Sequence, residues 1–419
     1  MTSLSVHDAE SVIVFDDAPV RGSVQGSVAV LERASLFCDD GVIESVGDRR
    51  SAEIELDARG CTVVPGFVDS HTHLPFYGWR ADEDGARLGG VRYESLHREE
   101  GGIYRSARML SDADDADVVE FSSELAAAML HHGTTTFEMK SGYGLSVDSE
   151  VRQLRLARAL ADRVSQRTVA TCLAAHAVPP GKSPGEWVGE AAEELLPLVA
   201  REGLAEACDV YVESISFALE HAARLAESAN RLGLRLRIHA DQLEDGQAGA
   251  FAARWGFATA DHLNHTSPDA AIDLARSHTA AVLLPGATFT LRQSAKPPAR
   301  SLWDEGAVVA LGSDLNPGTS PIHSMPFVMA LACRLYGLRP LESLAAATAN
   351  AAYALGVHEV TGSLSPGRRA DVVVLDVPAF DWVTYRPDHD PVIAVVCDGE
   401  LAYVAPRARA RVQPQGALS

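Results

Sequence analysis

Paired cysteines are missing from this chain of 419 residues. Its six cysteines, Cys38, Cys61, Cys172, Cys208, Cys333 and Cys397, are widely scattered and form no CxxC. That excludes a disulfide framework or zinc knuckle and predicts reduced, mostly buried thiols in a cytoplasmic protein. No apolar run approaches the ~20 residues of a membrane-spanning helix. The N-terminus lacks the basic start and apolar stretch of a secretion signal, which again predicts a cytoplasmic location. Positive charge is scarce as well, with 36 Lys and Arg against 57 Asp and Glu for a formal charge of −21. Such a field repels nucleic acid and anionic lipid, so neither is expected as a partner. It leaves substrate charge open, because a few arginines inside a pocket override the global field. Internal repeats and low-complexity segments are absent too.

What remains is an ordinary globular composition, 47% hydrophobic and 22% charged. The length suits a barrel of about 250 residues plus a smaller domain. Eight short apolar runs alternate with amphipathic stretches, the signature of βα units on a parallel sheet. The runs are 63–68, 134–140, 169–175, 209–213, 235–239, 258–262, 280–285 and 307–313. Helical spacing is clearest in 117–131, where Val118, Phe121, Leu125 and Met129 recur, and it returns in 150–163, 218–232, 325–336 and 341–355. Eight strands with intervening helices predict a (β/α)8 barrel of the TIM type. A doubly wound open sheet would ask for a glycine-rich phosphate loop after an early strand, and none is present.

Both chain ends read differently. Short strands at 11–15, 27–31 and 42–46, then at 370–375, 392–397 and 401–404, carry little helix between them. Neither end holds a full core. The expected architecture is therefore one small β-sandwich domain, composed of residues 1–62 and 364–419, with the barrel of residues 63–363 inserted into it. Residues 413–419 read as a frayed tail.

Chemistry concentrates at the strand ends, where barrel enzymes place it. The first strand ends in His71-Thr72-His73, and residues two apart on an extended chain point to the same side, so both imidazoles can aim at one point. An HxH alone also occurs as ordinary surface polarity. Here His239 closes the fifth strand, His262 the sixth and Asp314 the eighth. His71, His73, His239 and Asp314 offer three nitrogens and one oxygen, a set suited to Zn²⁺ or Fe²⁺ and too nitrogen-rich for Mg²⁺ or Ca²⁺. A cation so held lowers the pKa of a water from 15.7 to roughly 7. His262 is placed beside that water, with a fifth-ligand or supporting role as the competing reading. Asp314 has a second oxygen that can accept a proton. Asp241 and Asp261 sit next to histidines and, by strand alternation, should face the opposite side in supporting roles.

Arg80 follows the first strand and could clamp a carboxylate bidentately or make a surface salt bridge. Tyr143 in Lys140-Ser-Gly-Tyr-Gly follows the second strand, to hydrogen-bond a substrate or simply to pack. His176 follows the third. The amides and hydroxyl of Asn316, Gly318 and Thr319, directly after Asp314, should reach anything bound there.

Taken together, PGFVDSHTHL, GTTTFEMKSGYGL, AAHAVPP, RIHADQL, TADHL, LLPGATFTLRQ and SDLNPGTSP resemble the imidazolonepropionase family of the amidohydrolase superfamily. The match runs from about residue 61 to 375. HxH alone implies only the superfamily, whereas KSGYG, AHAVPP and DxNPGTSP are far more particular. The resemblance implies one Zn²⁺ or Fe²⁺/Fe³⁺ per subunit at His71, His73, His239 and Asp314. It implies substrate contacts from Arg80, Tyr143, His176, Gln242, Asn316, Gly318 and Thr319, with His262 and Asp314 moving protons. It also implies a homodimer and hydrolysis of the ring amide of 4-imidazolone-5-propanoate to N-formimidoyl-L-glutamate in histidine degradation. Gln242 stands where some relatives carry glutamate and cannot serve as a general base, so proton transfer rests more on His262. Val212-Glu213 and Arg105 also depart from the family pattern, and Arg105 could alter the pocket rim.

Two other enzymes of the superfamily compete. A nucleobase deaminase would share the metal site but leave Arg80 without a carboxylate to meet. A binuclear cyclic amidase would want a bridging carboxylate on the fourth strand, where Glu213 is the candidate, with Lys140 on the second strand. A non-catalytic barrel used for interaction is a third reading, set against the presence of all four ligands.

Overall fold

The computed structural model describes residues 3–15, 19–91, 95 and 101–414. The chain begins in a mixed sheet with β1 (Leu4–Phe15), β2 (Val28–Asp39), β3 (Val42–Gly47), β4 (Ile54–Asp57) and β5 (Thr62–Pro65). It then builds a parallel barrel from β6 (Phe67–Asp69), β7 (Thr134–Lys140), β8 (Arg167–Ala175), β9 (Ala207–Val212), β10 (Arg235–Ala240), β11 (Thr259–His262), β12 (Ala280–Leu283) and β13 (Val308–Leu311). It returns to the first sheet with β14 (Val372–Leu375), β15 (Val392–Cys397), β16 (Glu400–Val404) and β17 (Val412–Pro414).

Barrel strands pair in chain order, and helices cover the outside. Strands such as Val308-Val-Ala-Leu311 are buried on both faces, as parallel strands under helices must be. Trp187, fully buried on one of those helices, donates its indole N–H to the Ala174 carbonyl at 2.8 Å. The barrel closes between β6 and β13 through hydrogen bonds just past the strand ends. His73 N donates to Leu315 O and Asp314 N to His71 O, both at 2.9 Å. Asp69 reinforces the seam by accepting from Ser313 N at 2.8 Å. Three expected ligands thus lie on the join itself.

The end sheet runs β16-β15-β14-β5-β1-β2-β3, with β4 pairing both β1 and β17. Its strands alternate between two apolar cores. Val12, Val14, Val63, Val372 and Val374 face a core of the sheet's own, while Ile13, Phe15, Val64, Val373 and Leu375 pack into the barrel's core.

Three expectations need correction. The run 63–68 is two strands, because β5 pairs antiparallel with β14 and only β6 enters the barrel. The chain crosses between sheets at Gly66, where a Cβ would overlap Thr135. The N-terminal strand begins at Leu4, seven residues earlier than apolar patterning suggests, because a register shift between Val6 and Ala9 carries the polar stretch through the sheet. In the expected tail, Gln413 and Pro414 pair with Glu55 and Ile54; residues 415–419 lie outside the described residues.

Candidate active site

His71, His73, His239, His262 and Asp314 converge at the C-terminal mouth of the barrel, all nearly or fully buried. The Nε2 atoms of His71 and His73 lie 3.4 Å apart, and Asp314 Oδ1 is 3.6 Å from the first and 3.2 Å from the second. His239 stacks edge-on to His71 with ring centroids 4.6 Å apart. Two triplets of donor atoms form compact groups that share His71, one with His73 and Asp314, the other with His239 and His262.

Backbone strain helps to aim these groups. Asp241, His262, Leu263 and Asp314 all adopt left-handed conformations, with φ between 51° and 77°. For residues other than glycine this costs about 1–3 kcal/mol each and persists where packing enforces it. The turn at His262 breaks strand alternation, so Asp261 and His262 both face inward. This corrects the expectation for Asp261, which accepts a hydrogen bond from His71 Nδ1 at 2.6 Å from inside the barrel. Asp241 does support the fold, accepting from the amides of Ala248 and Gly249 and from Thr266 Oγ1.

His239 Nδ1 donates to Asp209 Oδ1 at 3.2 Å. With both Nδ1 atoms committed to carboxylates, His71 and His239 present Nε2 toward the mouth. His239 Nε2 is buried and unpartnered. A cation suits this arrangement, since metal-bound histidines commonly hand their other nitrogen to a carboxylate. Burial, with nearby positive charge, pushes His71 and His73 far below the ordinary imidazole range. Burial pushes His262 down to about 3 against the pull of Asp314. Burial also opposes protonation of His239, yet Asp209 outweighs it and the net shift is upward. The low values of His71 and His73 keep both rings neutral near pH 7, the form in which imidazole ligates.

Below the mouth lies a buried charged layer that sequence reading left largely unused. Lys140, Glu138, Asp209, Arg237 and Asp261 are all fully enclosed. Lys140 Nζ sits 2.7 Å from Asp209 and 2.8 Å from Glu138, and Arg237 lies 3.0 Å from Glu138. Burial works against the Lys140 ammonium, but Asp209 and Glu138 prevail and raise its pKa. Period-two spacing was the available signal. Glu138 and Lys140 on β7, and Arg237 and His239 on β10, alternate with apolar neighbours.

The cavity above is lined by His73, Arg80, Tyr143, His176, Gln242, Asn316 and Thr319, among others. Arg80 is 2% exposed, which removes the surface salt bridge as its role. Its Nη1 meets Glu83 at 3.1 Å, while its Nε is buried without a partner. Gly318 lies against Arg80, and a Cβ there would overlap the guanidinium. The amides of Gly318 and Thr319 are already spent on Asn316 Oδ1, at 2.9 and 2.7 Å. That corrects the expectation that they reach a bound molecule; the Asn316 side chain shapes this loop, and the Thr319 side chain faces the cavity.

Tyr143 is set by the helix that follows it. Glu150 accepts from the amides of Gly142, Gly144 and Leu145 at 2.7–2.9 Å, and Gln153 accepts from Tyr143 N at 3.0 Å. Gly142 takes φ 115°, which fits the sharp turn expected of this glycine. His176 donates to Gly142 O at 3.1 Å and stacks on His73, with centroids 5.0 Å apart. Gln242 Oε1 accepts from Tyr211 OH at 2.9 Å. That fixes the amide so that its NH2 is free to donate into the cavity. Arg105 pairs with Asp82 at 2.6 Å and approaches Glu83 at 3.6 Å, so it acts on the rim through Arg80's partner. Glu213 accepts from the amides of Gln242 and Leu243 and is not a bridging ligand.

Residues 62–404 match the amidohydrolase family model. An imidazolonepropionase of Symbiobacterium thermophilum is 41% identical over 420 residues, covering 97% of this chain and 99% of the relative. Another, from Rubrobacter xylanophilus, is 40% identical, covering 96% and 98%. Among solved structures, an adenosine deaminase of Xanthomonas campestris with bound zinc superposes with a TM-score of 0.66 at 19% identity, covering 96% of this chain and 93% of that one. At that identity the likeness is one of fold.

Proposed function

The chain belongs to the imidazolonepropionase family of amidohydrolases, and we propose from its cavity how it opens the ring amide of 4-imidazolone-5-propanoate to give N-formimidoyl-L-glutamate. One observation supports this chemistry above the rest. A buried arginine with an unpartnered Nε lines the same cavity as the convergent histidines and Asp314.

In this reading Arg80 binds the propionate, with Glu83 holding the guanidinium in place. Tyr143 and His176 confine the ring, and the Gln242 amide donates to one of its acceptor atoms. His71, His73, His239 and Asp314 would hold one Zn²⁺ or Fe²⁺/Fe³⁺. When bound, that ion supplies Lewis acidity to the amide carbonyl and acidifies water. Asp314 offers its second oxygen to the proton released on attack. His262, neutral and adjacent, accepts that proton from Asp314 and passes it to the departing ring nitrogen. The stacked His73–His176 pair and the apolar wall at Ile103 limit water to the reacting face.

The cationic anchor favours a carboxylated substrate over the neutral rings of nucleobase deaminases. The reading extends to a cytoplasmic homodimer without nucleic-acid or membrane partners. Among the described residues, no helix is long and apolar enough to cross a membrane. It also divides the chain into a terminal domain, residues 1–62 with 364–419, around a barrel of residues 63–363; the end sheet's own apolar core supports that division.

The test is loss of the substrate's ultraviolet absorbance on incubation with the metal-loaded protein, with N-formimidoyl-glutamate identified by mass spectrometry. Metal uptake without turnover would overturn the substrate assignment.

A further inference from the structure

The charged layer under the mouth has a centre. Lys140 projects from β7 across β8 and meets Asp209 on β9 at 2.7 Å, and it stands 4.0 Å from Asp261 on β11. Those two aspartates are the groups that hold His239 and His71 by their Nδ1 atoms. The two histidines stand on different staves, and β10 itself pairs with neither β6 nor β7. One ammonium therefore links the orienting carboxylates of two candidate ligands.

We propose that Lys140 is a positioning residue for the metal centre, fixing His71 and His239 together through Asp261 and Asp209. The proposal rests on the metal reading given above. Its physical basis is the fixed geometry of a fully enclosed ion cluster. A carboxylate without its counter-charge in such a place must find another partner, and the histidine it holds moves with it. Hydrogen-bonded supports of metal ligands are worth about 10–100-fold in metal affinity.

Glu138 provides an internal control. It is as buried as the others and touches the same ammonium and Arg237, but among the described residues its carboxylate makes no hydrogen bond or ion pair to a histidine. Loss of Glu138 disturbs the layer without releasing an orienting carboxylate.

The experiment measures zinc affinity of the purified full-length protein by competition with a chromophoric chelator, and the visible spectrum after loading with Co²⁺. Lys140→Met and Lys140→Gln are compared with Glu138→Gln; the glutamine variant at 140 keeps hydrogen-bond donors and serves if the methionine variant does not fold. The lysine variants should lose about tenfold or more in zinc affinity and show an altered cobalt spectrum. Glu138→Gln should melt at lower temperature yet bind zinc within about twofold of the parent. Equal affinity in the parent and lysine variants overturns the proposal, as does an equal loss in Glu138→Gln, which would mark a purely structural layer. A parent protein that takes up no zinc or cobalt sinks the metal reading itself, and is recognised before any variant is compared.

Discussion

The amide of Asp314 donates to the carbonyl of His71 at 2.9 Å. Two candidate ligands far apart in the chain are thereby joined by main chain, on the seam where the barrel closes. Their spacing is set by the same hydrogen bonds that complete the sheet, so barrel closure and site assembly are one event.

Chelation should separate the metal from the fold. A cation bound only by the native state stabilises it by mass action. Dialysis against a strong chelator should abolish turnover and lower the melting temperature, and Zn²⁺ or Fe²⁺ should restore both. An unchanged melting curve with full activity after exhaustive chelation rules out the cation.

Arg80→Met should raise KM by about 10–100-fold with a smaller change in kcat, as expected for loss of a charge-assisted contact made equally in ground and transition states. Gly318→Ala should move KM the same way, because its methyl occupies the space of the guanidinium. Against an imidazolone ring lacking the propionate, parent and variants should perform alike. A variant that loses kcat alone contradicts the anchor role.

Tyr211→Phe removes the hydroxyl that fixes the Gln242 amide. One such hydrogen bond is worth about 1 kcal/mol, so kcat/KM should fall roughly fivefold. Gln242→Leu should fall further, and the double variant should be no worse than Gln242→Leu alone. Additive losses in the double variant would show that Tyr211 acts elsewhere.

Glu150→Ala strands three amides of the loop that carries Tyr143. With an unsatisfied buried donor costing about 1–3 kcal/mol, and only the Gly142 amide fully buried, the midpoint of urea unfolding should drop by an amount equivalent to about 2–3 kcal/mol. A loss below 1 kcal/mol would mean that the loop holds its shape by other means.

Burial raises the Glu213 carboxyl from 4.5 to about 7. The folded state therefore keeps this proton where the unfolded chain releases it. The resulting stability is complete below about pH 4.5 and is lost as pH rises through 7. Glu213→Gln should gain stability relative to the parent across that window, by about 1–3 kcal/mol, measured as urea midpoints from pH 4.5 to 8. A constant difference across the window would exclude the linkage.

Most of the barrel could be read from the chain because parallel strands are apolar on both faces, and runs such as those at β12 and β13 stand out from amphipathic helices. The ligands were legible for a related reason, as polar residues abruptly ending apolar runs. Asp261 was misdirected because alternation assumes extended backbone, and the left-handed turn at His262 cancels it. The break at Gly66 was hidden inside one continuous apolar stretch, since each half of it is buried in a different sheet. Glu150 and Glu83 escaped notice because a helical glutamate near a first turn reads as solvated, and only the fold shows what lies over it. The amides after Asp314 were misjudged because a sequence shows which donors exist and not which are already engaged.

The strand β5, which leads through Gly66 into β6 and the His71–His73 pair, pairs with β1 on one side and on the other with β14, some three hundred residues onward. A ribosome must therefore deliver nearly the whole polypeptide before the segment bearing the first two histidines can be clasped from behind. The growing chain can form its middle βα units as they emerge, while β5 waits for its antiparallel neighbour from the far end. A fragment released before β14 would keep many helices and strands yet lack the neighbour that backs the segment leading into its first two histidines.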